Sequence, residues 1–67
     1  MKDKIINSFS KELRSIVESI ITKEKKIFIT LKAENSKHAN DLENLRIECK
    51  KKVSDLNFFE EINVTFT

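Results

Sequence analysis

The sequence predicts a small α+β domain, and three observations lead there. The segments KIFITLKA and EINVTFT each alternate apolar and polar residues, the period of a strand with one face on a core. The stretch between them repeats apolar residues at helical spacing. The chain has 67 residues, which is room for one domain over 1–67.

The first segment fits two descriptions. Ile6, Phe9, Leu13, Ile16 and Ile20 are spaced three, four, three, four, a helical stripe widened by Ile5, Val17 and Ile21. That spacing favours one long N-terminal helix and an α-β-α-β order. SIVESIIT is also dense in β-branched residues, which lose side-chain freedom in a helix and favour a strand. The following KEKK lacks the Asn-Gly chemistry of a tight hairpin. Periodicity leaves residues 13–22 open between helix and strand.

From Lys26 onward the elements are distinct. Ile27, Ile29 and Leu31 point one way and Phe28, Thr30 and Lys32 the other. In SKHANDLENLRIECKKKVSDL, the residues Ala39, Leu42, Leu45, Cys49, Val53 and Leu56 form one helical stripe. Ser36 is the N-cap candidate. Asp41 and Glu43 lie early, where the helix dipole favours anions, and Glu48 reaches Lys52 at i,i+4. The last strand sets Ile62, Val64 and Phe66 against Asn63, Thr65 and Thr67. Strand, helix, strand at these lengths is a βαβ unit, with parallel strands and a right-handed crossover expected.

Composition narrows the function classes. The chain has 13 basic and 11 acidic residues, for a net charge of +2. The signs alternate, unlike a nucleic-acid binder with a concentrated basic face. Lys50-Lys51-Lys52 fits the C-terminal half of a helix better than a nucleic-acid patch. Glycine and proline are both absent. That excludes a phosphate-binding loop, a dinucleotide fingerprint and a nucleophile elbow, which need glycine for close backbone approach. It also excludes the glycine-bearing loop of a KH-type RNA clamp. No apolar run approaches the roughly 18 residues of a membrane span, and the N-terminus lacks a signal-peptide apolar block. The single cysteine, Cys49, permits no internal disulfide and is consistent with a reducing, cytoplasmic location. A domain this small buries only about 60% of its unfolded surface, so its core is marginal without help from a partner or a second copy.

VESIITKEKKIFITL resembles the hairpin of the N-terminal domain of Mrp/ApbC-type iron–sulfur cluster carrier ATPases, itself similar to stand-alone assembly proteins of the SufT/PaaD kind. In that family a strand V-x-S-I-x-I, a short charged turn and V-x-F-x-L follow one another. Val17, Ser19, Ile20, Thr22, Ile27, Ile29 and Leu31 fall on that frame without a gap. LENLRIECKKKVSDL resembles the family helix, with Leu42, Glu43, Leu45, Arg46, Val53 and Leu56 in place, and NFFEEINVTFT resembles the family's last strand. The resemblance runs from Val17 to Thr67. It implies an α-β-β-α-β two-layer domain: a first helix near Lys2 to Ser10, a three-stranded sheet, and one long helix across it.

The departures bear on function. The family's Asp-Pro loop after the first helix is missing, and Asn7-Ser8-Phe9-Ser10 runs almost directly towards the strand. The Cys-Pro of the assembly proteins falls at Glu34-Asn35-Ser36-Lys37, which holds no thiol. Lys25 stands for the turn glycine and Asn57-Phe58 for the Pro-Gly before the last strand. The ATPase part is absent from this sequence, which stops about where a linker to it would begin. An excised domain, a reduced relative and a loop deletion all fit that pattern.

No catalytic, cofactor-binding or metal-ligating residue is assigned. Cys49 sits on the sheet-facing stripe, at a family alanine, and reads as a small buried hydrophobe. An iron–sulfur cluster takes up to four thiolates, so Cys49 would need outside ligands even in a dimer. His38 has no His or Cys at i+3 or i+4 and reads as a first-turn histidine. Asp41, Glu43 and Glu48 read as solvated helix charges, and Asp55, Glu60 and Glu61 as an acidic rim without metal-loop spacing. Phe59 is expected to cap the core and Phe58 is the candidate exposed aromatic. The resemblance implies a non-enzymatic accessory domain, without cofactor, that docks iron–sulfur assembly proteins or a P-loop ATPase domain through its sheet edge and the loop before the long helix. No nucleic-acid or membrane partner is expected. The alternative is a homodimerising interaction module with no iron–sulfur role, its first amphipathic segment pairing with a second copy.

Overall fold

The computed structural model describes residues 2–33 and 41–67. Its elements run α1 (Lys2–Ser8), α2 (Lys11–Ile16), β1 (Val17–Lys23), β2 (Lys26–Leu31), α3 (Asp41–Asp55) and β3 (Glu61–Phe66). The class is α+β: a three-stranded mixed sheet with one long helix packed on it. The sheet order is β1-β2-β3, with β1 antiparallel and β3 parallel to the central β2. The expected βαβ unit is therefore β2–α3–β3.

The N-terminal third is where expectation needs correcting. A continuous helix through Ile20 does not form; the expected first helix is α1, ending at Ser8, and a second short helix, α2, follows it before the sheet. The chain breaks after Ser8 and restarts at Ser10, whose extended backbone (φ −63°, ψ 160°) and hydroxyl make it the N-cap of α2. Ser10 Oγ accepts from Leu13 N at 3.2 Å, supplying a partner for an otherwise orphaned first-turn donor. α2 then ends at Ile16, and Val17 is already extended (φ −69°, ψ 121°). β-branched Val17, Ile20, Ile21 and Thr22 follow, where a pleated strand suits them better than a helix. Lys32 N donates to Ile16 O at 2.7 Å, extending the β1–β2 ladder one step past the strand boundary.

The turn is tighter than KEKK implies. Lys23 pairs with Lys26, leaving only Glu24-Lys25 as the loop. Glu24 has φ 55°. A positive φ at the first loop residue is the pattern of a type II′ hairpin, where glycine is the usual choice. The second left-handed residue is Asn57 (φ 61°), just past α3. There Leu56 N donates to Val53 O and Asn57 N to Ser54 O, tightening the last turn. Asparagine tolerates this conformation better than most residues.

The core lies between the helices and one face of the sheet. Ile5, Phe9, Leu13 and Ile16 come from the N-terminal third, Leu45, Cys49 and Val53 from α3, and Ile20, Ile27, Ile29 and Leu31 from the sheet. Of the expected α3 stripe, Leu45, Cys49 and Val53 are buried and Leu56 is half-buried against the cluster, while Leu42 is half-buried outside it. On β3, Ile62 and Val64 are only half-buried and Phe66 is exposed, because β3 is an edge strand. Phe59 packs against the core and Phe58 is exposed. Ser36, His38 and Ala39 lie outside the described residues, as does the loop position of the family's Cys-Pro.

Candidate protein-docking surface

Strand register sorts the sheet into two faces. Side chains at paired positions share a face, and the faces alternate along each strand. One face carries the rows Val17–Leu31–Phe66, Ile20–Ile29–Val64 and Thr22–Ile27–Ile62. This is the helix-covered face. The other carries Ser19–Thr30–Thr65, Ile21–Phe28–Asn63 and Lys23–Lys26–Glu61. On that second face Ile21 is 59% exposed and Phe28 39% exposed. They stand directly opposite each other across β1 and β2, so they form one apolar spot rather than two scattered residues. A polar row flanks the spot on one side and a charged row on the other.

Ile21 also lies on a second feature. Between α1 and β1 runs an open groove of about 400 Å³, lined by Lys2, Ile6, Arg14 and the β1 residues from Val17 to Ile21. β1 is an edge strand, paired with β2 alone. Among the described residues its outer edge makes no backbone hydrogen bond. Near the other end of β1, Glu18 faces Lys32 at 3.9 Å and accepts from Thr67 Oγ1 at 3.2 Å. The hairpin loop is tied to the start of β3: Lys25 O accepts from Glu60 N at 2.7 Å and from Glu61 N at 3.3 Å. The exposed Lys25–Glu60 ion pair at 3.5 Å adds little to that.

The residues singled out in the sequence do not converge on a reactive centre. Cys49 is fully buried in α3. Burial, with a smaller contribution from the Glu48 carboxylate beside it, pushes its thiol up to about 12. A thiol held protonated in this way is a poor metal ligand and a poor nucleophile. Glu48 is half-buried, and it does not spend its carboxylate on Lys52. It accepts from Ser10 N at 2.8 Å and from Ser10 Oγ at 3.0 Å, clamping α3 to the start of α2. Glu43 and Arg46 form a two-pronged pair one turn apart on the exposed side of α3. The Arg46 hydrogen bond holds the Glu43 carboxyl below its usual range, and Glu43 in turn raises the guanidinium. Glu61 accepts from Asn63 Nδ2 at 3.1 Å, so the acidic rim is split between Lys25 and Asn63. No group of three His, Cys, Asp or Glu among the described residues is placed to hold a metal ion. Lys50, Lys51 and Lys52 are exposed on α3.

The sequence reading missed Ile21 as a surface residue, counting it with the helical stripe. Its parity with Ser19 and Lys23 was the available signal, but only once β1 is known to be a strand. Comparison with protein-family models, with curated proteins and with solved structures gives no match. No helix among the described residues is long and apolar enough to cross a membrane.

Proposed function

We propose that this domain is a non-enzymatic protein-interaction module that works as an accessory to iron–sulfur assembly proteins or a carrier ATPase in the cytoplasm. The observation that carries the interaction reading is the exposed Ile21–Phe28 pair on a sheet face that no described residue covers, beside a strand edge unpaired among the described residues. Exposed apolar residues that are paired rather than scattered mark contact surfaces. The iron–sulfur association rests on the resemblance of the Val17–Thr67 segment, whose implied hairpin, long helix and last strand follow the same order as the elements here. In this reading Cys49 is core and holds no cluster, and recognition is by surface. The homodimer alternative loses its expected surface, because Phe9, Leu13, Ile16 and Ile20 are spent inside the domain.

The test is a titration of the isotope-labelled domain with the ATPase part of a carrier from the resembled family. Shifts centred on Ile21 and Phe28, abolished by Ile21→Lys, support the reading. Absence of any shift refutes the carrier association. Anaerobic reconstitution with iron and sulfide provides a second check: the domain stays colourless.

A further inference from the structure

We infer that the free edge of β1 receives an extended, acidic segment of a partner protein, which adds to the sheet as a fourth strand. This rests on the interaction reading above and specifies its site and partner. In an antiparallel pair, alternate residues of the outer strand direct N–H and C=O away from their neighbour. Past a register irregularity at Glu18, β1 presents a row of unpaired donors and acceptors over Ser19–Lys23, and nothing among the described residues satisfies them. Natural sheets blunt such an edge with proline, a short strand, a bulge, charged side chains or a covering element. Here the bulge and the charges of Glu18 and Lys23 guard the two ends of a seven-residue strand without proline, and Ser19–Thr22 between them is left open. Main-chain pairing to such an edge is an established mode of peptide recognition, with side-chain pockets on either face supplying specificity.

Both faces flanking this edge are shaped for an added strand. On the helix side, the groove sets Lys2 and Arg14 beside Ile6, Val17 and Ile20, to receive the acidic parity of side chains from the incoming strand. On the open side, Ile21, backed by Phe28, offers an apolar contact to the other parity. A single added strand would cover the groove and part of the exposed Ile21–Phe28 spot together.

The charges select the partner's sign. Lys2 and Arg14 line the groove, and neither makes an ion pair among the described residues. The groove's carboxylate, Glu18, already faces Lys32 and Thr67. At the hairpin end, Lys23 and Lys26 stand directly opposite each other, a like-charge pair that costs stability. The β1 edge thus sets Val17, Ile20 and Ile21 among polar residues, with Lys2, Arg14 and Lys23 around it against one carboxylate, Glu18. The β3 edge differs: its first residue, Glu61, is acidic, and Glu60 just before it is paired with Lys25.

The experiment titrates the isotope-labelled full chain with a capped synthetic peptide, about seven residues long, alternating glutamate and valine. Two controls replace glutamate by lysine, or the central valine by proline. Support is a set of amide shifts along Val17–Lys23, with affinity falling at least about tenfold for the lysine peptide and lost for the proline one. A Lys2→Glu, Arg14→Glu double variant, both positions being exposed, should keep the fold and reverse the charge preference. Shifts confined to α3 or to β3, equal affinity for both charges, or no shift at about 1 mM peptide would overturn the proposal. Concentration-dependent β1 shifts without peptide would identify a second copy as the occupant and overturn it too. If the peptide binds β1 and the carrier ATPase part does not bind, the edge site stands and the iron–sulfur reading falls. If the carrier binds and the peptide does not, the reverse holds.

Discussion

The two faces of the sheet are built from the same strands and share one hairpin, yet they have opposite fates. Ile20, Ile27, Ile29 and Leu31 are each 5% exposed or less, while Ile21 and Phe28, their immediate neighbours in sequence, stand open. A chain this short cannot cover both faces. Among the described residues three helices supply one layer, and that layer is used on one side. What remains on the other side is a mixed surface with one apolar pair in it. The lesson is that hydrophobicity alone does not separate core from contact surface here. Strand parity does.

The sharpest way to break this comparison is to truncate one residue on each face. Ile29→Ala removes a fully packed side chain from the core cluster and leaves a cavity. A loss of about 3 kcal/mol is expected, enough to unfold much of a domain with a marginal core. Phe28→Ala removes a larger side chain from the open face, and its cost should stay under about 1 kcal/mol, mostly the lost cross-strand contact with Ile21. Urea unfolding of both variants checks this. Equal losses would mean the open face is covered after all.

Cys49 sharpens the comparison chemically. Its thiol is raised from an ordinary value of 9.0 to about 12, chiefly by burial. The sign follows from linkage: the folded protein holds the proton more tightly than the unfolded chain. This contribution is fully present below pH 9.0, and it is lost as pH rises towards about 12. Stability should therefore decline through that alkaline window, and Cys49→Ala should flatten the decline while lowering stability at neutral pH. A thiol reagent should label native protein slowly, at the rate of unfolding. Fast labelling of folded protein would show that the α3 face is open.

Much of the second half was legible in the sequence because each element there has one period only. Ile27, Ile29 and Leu31 fit a strand and no helix, and the steps of three from Leu42 to Leu45 and from Val53 to Leu56 make the stripe through Cys49 fit a helix and no strand. The first half was not legible, and the reason is arithmetic. Ile16 and Ile20 are four apart, a spacing that lies on one face of a helix and also on one face of a strand. The stripe therefore ran unbroken across the boundary at Val17, and Ile21 was counted with the wrong surface. The break before α2 was hidden for a different reason. A capping box would place the acid that accepts the Ser10 N–H three residues after the cap. That position is Leu13, and the acid is Glu48, brought from α3 by the fold. Only the tertiary structure joins the two halves of this cap. The docking surface shared the fate of β1, since its edge, its groove and its exposed isoleucine exist only if that segment is a strand.

The Ser10–Glu48 clamp gives an intermediate effect, because it holds the helical layer together at its exposed rim. Ser10→Ala removes the cap on Leu13 N and one bond to Glu48, and should cost about 1 kcal/mol. Glu48→Gln keeps an acceptor but loses the charge, and should cost less, since hydrogen bonds to charged groups are the stronger ones. The double variant should cost less than the sum of the two, because both act on one contact. Thermal melts measure all three. Strict additivity would show that the clamp contributes nothing as a pair.

The smallest effect concerns the hairpin that generates both faces. Glu24 holds φ at 55°, a region where a side chain beyond Cα is crowded. The chain meets this need without glycine, at a cost of order 1 kcal/mol. Glu24→Gly should recover a few tenths of that, because relief of the left-handed strain is partly offset by the greater freedom glycine gives the unfolded chain. Glu24→Val should move the other way, since a β-branched residue tolerates positive φ worst of all. The register of Lys23 against Lys26 should be unchanged by the glycine variant, read from cross-strand contacts in the NMR spectrum. A shifted register would move Ile21 to the other face by the period of the pleat, and the apolar pair with Phe28 would vanish with it. The glycine variant therefore tests whether the loop sets which isoleucine is core and which is surface, or whether the packing of Ile20 beneath the helices suffices.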